Sequence, residues 1–174
     1  NSTPRKTQGV LGAITSNVET AATLSKPVVD ALLIKMFGNG AKLPQDRTVF
    51  LVNAAAKVAL TNVYAAAGLN QPTESRNVGG VNITQLVTDF GTFGVMLDRW
   101  MPADTIAVVD LSVCAPVYLS IPNKGHLFAE PLAKTGSADK YQIYGEIGLE
   151  YGPQSYHGKI TGLSFGSSSS SSSS

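Results

Sequence analysis

The motif most suggestive of catalysis lies near the end of the chain, where residues 162–166 read Gly-Leu-Ser-Phe-Gly. This G-x-S-x-G spacing is typical of the strained turn that exposes a nucleophilic serine, here Ser164, between a strand and a helix. An acid and a histidine must follow such a serine in the chain to activate its hydroxyl. Only Phe165, Gly166 and eight serines follow it, and His126 and His157 both precede it. A small serine hydrolase using Ser164 is therefore only the alternative interpretation, because no acid or histidine follows the serine to activate it.

The remaining reactive side chains do not combine into a recognisable catalytic or metal-binding set. His126 follows a turn and His157 lies on an expected strand, so both are predicted to be polar surface residues. Cys114 is the single cysteine and lies in an apolar stretch, where a small buried side chain is expected. The acids are spread over expected strand ends, where aspartate favours turns: Asp89, Asp98, Asp104 and Asp110. The sequence thus assigns no catalytic residue, no metal and no cofactor.

Composition narrows the remaining function classes. The chain has 174 residues, of which 43% are hydrophobic and only 14% charged, so most of it is expected to fold. The net charge is +1; residues 1–87 carry eight basic and four acidic side chains, residues 88–174 five basic and eight acidic. Neither half has the clustered basic residues of a nucleic-acid reader, and no apolar run is long enough to span a membrane. A weakly charged surface of this kind favours coverage by other chains.

The first half of the chain predicts two helices around a strand. Residues 1–24 form a lead-in segment with one short strand or turn. Ser25 is expected to cap a helix with Pro27 in its first turn. Apolar residues at i, i+3, i+4 and i+7 from Val29 continue this helix to Gly38. Residues 48–52 predict a buried strand, and Asn53 caps an alanine-rich helix over 54–67. Residues 69–80 are predicted to be an exposed loop.

The second half predicts an antiparallel sheet. A hairpin is expected around residue 91, with further strands at 106–109 and 117–121. Residues 140–151 show the clearest alternation in the chain, which predicts a long half-exposed strand whose odd-numbered side chains are buried. These are Tyr141, Ile143, Ile147 and Leu149. After a turn at 152–155, residues 156–163 are expected to return as the second strand of a long hairpin. Helices early and strands late make the chain α+β.

Two blocks of sequence carry a resemblance to a known family. Residues 89–102 (DFGTFGVMLDRWMP) and 130–136 (EPLAKTG) are similar to segments of tailed-bacteriophage major capsid proteins, and the similarity extends over roughly residues 8–163. The resemblance implies the HK97-like capsid fold. By that fold, residues 25–139 form an axial-domain-like region and residues 140–166 return to the peripheral domain. The serine tail at 167–174 is left out of the fold.

The resemblance also implies what the protein does. It is expected to be a non-enzymatic structural subunit whose copies form the hexamers and pentamers of a shell around double-stranded DNA, without sequence-specific binding. Further implied partners are portal, scaffold or decoration proteins, with no membrane involved. The implied location is the virion, assembled in the host cytoplasm. A second alternative is an encapsulin-like bacterial shell protein. The candidate subunit-interface residues are Arg99, Trp100, Met101, Glu130 and Lys134.

The family carries an arm, a hairpin loop and a long spine helix upstream of the matching region, and none of them is recognisable in this sequence. Because those parts connect neighbouring subunits, residues 1–166 alone are expected to fold but not to close into shells. At micromolar concentration they are expected to stay monomeric or to form loose rings. The loop at 69–80 is expected to lie near a symmetry axis of the ring.

Overall fold

The computed structural model describes residues 7–43, 47–66, 75–78, 81–133 and 136–165. The serine tail, most of the 69–80 loop and Lys134 lie outside the described residues. The strands in chain order are β1 (Val18–Thr20), β2 (Thr48–Val52), β3 (Ser75–Val78), β4 (Val81–Thr88), β5 (Gly91–Leu97), β6 (Ile106–Asp110), β7 (Ala115–Leu119), β8 (Leu127–Pro131), β9 (Tyr141–Glu150) and β10 (Gly158–Thr161). The helices are α1 (Val10–Ala13), α2 (Lys26–Gly38) and α3 (Ala54–Ala66), with a 3₁₀ turn at Gln154–Tyr156.

The strands form two sheets. The large sheet has the order β1-β10-β6-β2-β5-β4-β3, and the small sheet has the order β7-β9-β8. In the large sheet β1 pairs with β10 and β2 with β5 in parallel, while the other pairs are antiparallel. The small sheet is antiparallel throughout. The predicted hairpin around residue 91 is confirmed as β4 and β5, which are joined by a two-residue turn.

Both predicted helices are present, and local sequence explains their ends. Helix α2 begins after Ser25 with Pro27 in its first turn, although the Ser25 hydroxyl makes no capping hydrogen bond. Instead, the Ser25 carbonyl accepts the N–H groups of Val28 and Val29. Helix α3 is capped as expected, because the Ala56 N–H donates to the Asn53 side-chain oxygen over 2.8 Å.

The main core lies between the large sheet and helices α2 and α3. Buried side chains of both helices pack with alternate residues of the central strands, among them Phe50 and Phe93. These two rings meet edge to face with centroids 5.5 Å apart. On β6, Ile106 and Val108 join this core, whereas the intervening Ala107 packs toward α1 in a smaller cluster. The two long helices therefore cover one face of the sheet, and the α+β prediction is confirmed.

The small sheet overturns two expectations about residues 140–166. The odd-numbered side chains of β9 were predicted to be buried, yet Ile143 is 74% exposed and Ile147 is 63% exposed; Tyr141 and Leu149 are exposed as well. The hairpin prediction is also wrong, because β9 pairs with β7 and β8 while β10 joins β1 and β6 in the large sheet. Alternation shows which side chains share a face, but it does not show what covers that face.

Within residues 7–24 the structure has a single helical turn, α1, and one short strand, β1, in keeping with the short strand or turn that was expected there. One shorter segment does differ from expectation: residues 75–78, placed in the 69–80 loop, form β3 at the edge of the large sheet. In a short piece of mixed composition local propensity is weak, and pairing with a neighbouring strand decides the outcome.

Candidate subunit interface

The turn after β5 presents an unusually exposed tryptophan. Trp100 is 85% exposed, more than any other large apolar side chain in the described part of the protein. The backbone N–H of Trp100 donates to the Asp98 carboxylate over 2.9 Å, which holds the turn locally. The side-chain amide of Asn53 donates to the Pro102 carbonyl over 2.9 Å, which ties the turn to the start of α3. A large aromatic group held in water on a fixed turn is a typical anchor of a protein interface.

The neighbours of Trp100 in the sequence point in different directions. Arg99 is exposed beside it, whereas Met101 is only 7% exposed and packs with Ala107 and Val109 on the second face of the large sheet. The turn is anchored by Met101 while it presents the other two side chains. The structure therefore places Met101 in the core instead of on an interface, and leaves Arg99 and Trp100 available to a partner.

A second candidate surface is an open groove on one face of the small sheet, and Glu130 lies in it. Glu130 forms an ion pair with Lys124, whose ammonium lies 4.6 Å from the centre of the Phe128 ring. Phe128 and Tyr144 are cross-strand neighbours with ring centroids 5.8 Å apart. Glu130 and Trp100 thus belong to different surfaces, and the structure does not bring all the sequence-predicted interface residues together.

The opposite face of the small sheet is apolar and exposed. The odd-numbered residues of β9 share this face with their cross-strand partners, so Ile147 lies opposite Tyr118 and Ile143 lies opposite Ala129. The side chains of this face are Pro116, Tyr118, Leu127, Ala129, Pro131, Tyr141, Ile143, Ile147 and Leu149, none of them charged. A continuous exposed apolar surface of this kind marks an interaction site.

The residues considered for catalysis, Cys114, Ser164 and His126, lie in chain segments of different kinds. Burial, and then the nearby Asp110 carboxylate, raise the pKa of the Cys114 thiol, which lowers the fraction of reactive thiolate. Ser164 is exposed on the extended chain after β10, and its N–H donates to the Ala22 carbonyl. His126 is exposed next to β8 and lies 5.9 Å, centre to centre, from the Tyr118 ring.

His157 was expected on the surface of a sheet, and the structure corrects this: its side chain is fully buried. Ring atom Nδ1 accepts the Asp110 N–H over 3.2 Å, and Nε2 lies 2.6 Å from the Tyr151 carbonyl. Because a carbonyl can only accept, Nε2 is the donor in this contact. Asp110 ends β6 and Tyr151 follows β9, so His157 joins the two chain segments that run between the sheets. Sequence reasoning missed this role, since neither partner group is a side chain.

The described residues contain neither a metal-holding cluster nor a membrane-spanning helix. In residues 7–43, 47–66, 75–78, 81–133 and 136–165 there is no group of three or more His, Cys, Asp or Glu side chains placed to hold a metal ion. None of the helices in the same residues has the length and hydrophobicity needed to cross a bilayer.

Comparison with known proteins places these surfaces in context. A family model described as SU10 major capsid protein matches residues 1–164. No curated protein sequence matches the chain. A similar solved structure is the cryo-electron microscopy structure of the holo-SrpI encapsulin complex from Synechococcus elongatus PCC 7942. The match has a TM-score of 0.66 and 14% identity, and covers 91% of this chain and 57% of that one.

The structural match confirms the predicted fold. Encapsulins have the HK97-like fold, and the match includes nearly all of this chain, so the chain has that fold as well. The chain spans just over half the length of the encapsulin chain that it matches. At this level of identity the likeness concerns the fold, while function is carried by the family match.

Proposed function

The chain belongs to the SU10 major capsid protein family, and from that membership we propose that it is a structural subunit of a viral capsid shell. The observation that carries the proposal is the family match over residues 1–164. A shell subunit acts by geometry, because identical copies associate through different patches of their surface and close into rings. Its partners are therefore, first of all, further copies of itself.

The exposed surfaces support this proposal. Trp100 and the apolar face of the small sheet are uncovered in a single copy, although burying such groups is the main source of binding free energy. The small fraction of charged residues, 14%, lowers the cost of removing water from the surface when copies meet. Both features are explained if neighbouring copies cover these surfaces in the assembled shell.

The finer parts of the proposal follow from the resemblance to tailed-bacteriophage capsid proteins. The shell is that of a tailed phage or prophage, with hexamers and pentamers enclosing double-stranded DNA in the virion after assembly in the host cytoplasm. By that resemblance, residues 25–139 form the axial-domain region, and residues 140–166 return to the peripheral domain. Arg99, Trp100 and Glu130 contribute to subunit contacts. Portal, scaffold or decoration proteins are further partners.

The first prediction concerns the alternative hydrolase function. Ser164→Ala should change no activity, because the one histidine in the core, His157, has both ring nitrogens engaged by backbone groups and cannot accept the serine proton. Treatment with a serine-directed phosphonate probe, followed by mass spectrometry, checks this. The wild-type protein and Ser164→Ala should both remain unlabelled; covalent labelling that disappears in the variant would support the hydrolase.

The second prediction concerns self-association, which a capsid subunit requires. Sedimentation velocity of the purified chain should show monomers at micromolar concentration and ring-sized species as concentration rises, since contacts through a few loops fall at the weak end of specific interfaces. The species should approach five or six subunits. A protein that remains monomeric at its highest soluble concentration, or whose association ends at a dimer, would contradict the proposed function.

A further inference from the structure

Helix α2 is apolar on the side that faces away from the core as well as on the side that faces it. Its buried face consists of Val29, Leu32, Leu33 and Met36. Its outer face carries Pro27, Ala31, Ile34 and Phe37, which are all exposed, with Ile34 at 60% and Phe37 at 62%. Residues three and four apart share a helix face, so these four side chains form an apolar stripe over three turns, and the same spacing places the carboxylate of Asp30 beside Pro27 and Ile34. Helices that are hydrophobic all round are normally buried on both sides.

The charged groups that border this outer stripe are already paired within the chain. Lys35 lies 2.8 Å from Glu19 on one side. On the other, Lys26 lies 2.8 Å from Asp30 and 2.7 Å from Asp89. Hydrogen bonds to Asp30, and then to Asp89, raise the pKa of the Lys26 ammonium above its usual range. Since two carboxylates share one ammonium, the N-terminal end of the stripe has an excess negative charge.

The Trp100 turn has the complementary properties. Trp100 projects into water, and Arg99 beside it makes no ion pair among the residues that the structure describes. The turn therefore offers one aromatic ring and one unpaired cation. The stripe offers an apolar surface and an excess carboxylate. Tryptophan and arginine are the residue types that most often dominate the energetics of protein interfaces.

We propose that the Trp100 turn of one copy packs on the outer stripe of α2 in the next copy, with Arg99 facing the carboxylates of Asp30 and Asp89. The proposal rests on the proposed function, which supplies the neighbouring copies, and it assigns the two surfaces that meet. Because the two patches differ, the contact is head to tail. Repetition of a head-to-tail contact closes a ring when the rotation between copies fits.

A photo-crosslinking experiment tests which surfaces meet. A photoreactive phenylalanine analogue is placed at position 100 of the full chain. The protein is irradiated at a concentration where sedimentation shows association, and the crosslinked peptides are mapped by mass spectrometry. We expect intermolecular crosslinks to peptides that contain residues 27–37. As a control, the same analogue at the exposed position 127 on the small sheet should not label α2. Crosslinks from position 100 to the same turn of another copy would show a symmetric contact and overturn the proposal, as would crosslinks elsewhere.

Charge and stripe variants provide a second readout. The double substitution Ile34→Glu and Phe37→Glu should remove the crosslink from position 100, whereas the matched control Asn62→Glu on the exposed side of α3 should retain it. Arg99→Glu should lower the yield several-fold, and Arg99→Glu combined with Asp89→Arg should restore it. Failure of the charge reversal to restore the yield would refute the role of Arg99.

If association persists while every crosslink maps away from α2, this inference fails and the proposed function stands. If the chain never associates, the proposed function fails first.

Discussion

Replacing Phe93 with alanine should lower the free energy of unfolding by about 3–5 kcal/mol, the usual cost of a phenylalanine truncation in a packed core. Phe93 is fully buried on β5 and packs edge to face with Phe50 on the neighbouring strand β2. The truncation removes this contact and leaves a cavity between the sheet and the helices. Since whole domains are stable by only about 5–15 kcal/mol, Phe93→Ala should be close to unfolding. Urea titration followed by circular dichroism measures the change.

Ile147→Ala is the matched comparison, because sequence alternation alone would place Ile147 in the core. Its side chain is 63% exposed on the small sheet, so its truncation should cost well under 1 kcal/mol in the unassembled protein. A loss of several kcal/mol for Ile147→Ala in monomeric protein would mean that this face is covered within one copy. A small loss for Phe93→Ala would mean that the main core is placed wrongly.

His157→Leu should lower the free energy of unfolding by about 2–5 kcal/mol, since each buried polar group left without a partner costs about 1–3 kcal/mol. Leucine has similar bulk but cannot accept the Asp110 N–H or donate to the Tyr151 carbonyl. Both backbone groups belong to the segments that link the two sheets. The same variant should therefore loosen the junction, which hydrogen exchange at residues 110–115 and 151–158 would detect.

Two further variants separate the hydrogen bonds of His157 from its volume. His157→Gln carries both an acceptor and a donor and should recover part of the lost stability. His126→Leu, at an exposed position beside β8, should change stability by no more than about 0.5 kcal/mol. If His157→Leu were as stable as the wild type, the two backbone contacts would contribute nothing, and the role given to His157 would be wrong.

The parts of the fold that sequence predicted well depend on local signals. Helix α2 follows from its apolar spacing, the start of α3 from Asn53, and the β4–β5 hairpin from the glycine at position 91, whose φ of 115° suits the turn. Each of these signals lies within a few residues of the structure it determines. Local chemistry was therefore sufficient to predict them.

The errors concern relations between distant segments. The alternation along β9 correctly grouped Ile143 with Ile147, but their exposure depends on which other surface meets them, and no residue in β9 encodes that. Likewise β10 pairs with β1 and β6 and not with β9, because Ile160 of β10 packs in the main core with residues far away in the sequence. The burial of His157 depends on two backbone groups, which leave no trace in the sequence.

The candidate interface was only partly predictable for a similar reason. The sequence grouped Arg99, Trp100 and Met101 as one block, but the turn leaves Arg99 and Trp100 exposed and places Met101 in the core. Helix α2 was predicted as a helix with one buried stripe. Its second, outer stripe became apparent only when the structure showed which side chains remain in contact with water.

Electron microscopy of the purified chain, imaged at increasing protein concentration, tests the central claim that it is a ring-forming shell subunit most directly. Images report the symmetry of an assembly as well as its size. We expect ring-shaped particles with five or six repeating units at high concentration, because head-to-tail contacts between identical copies close into rings. Two-fold dimers as the final species, or separate monomers at the highest soluble concentration, would contradict it.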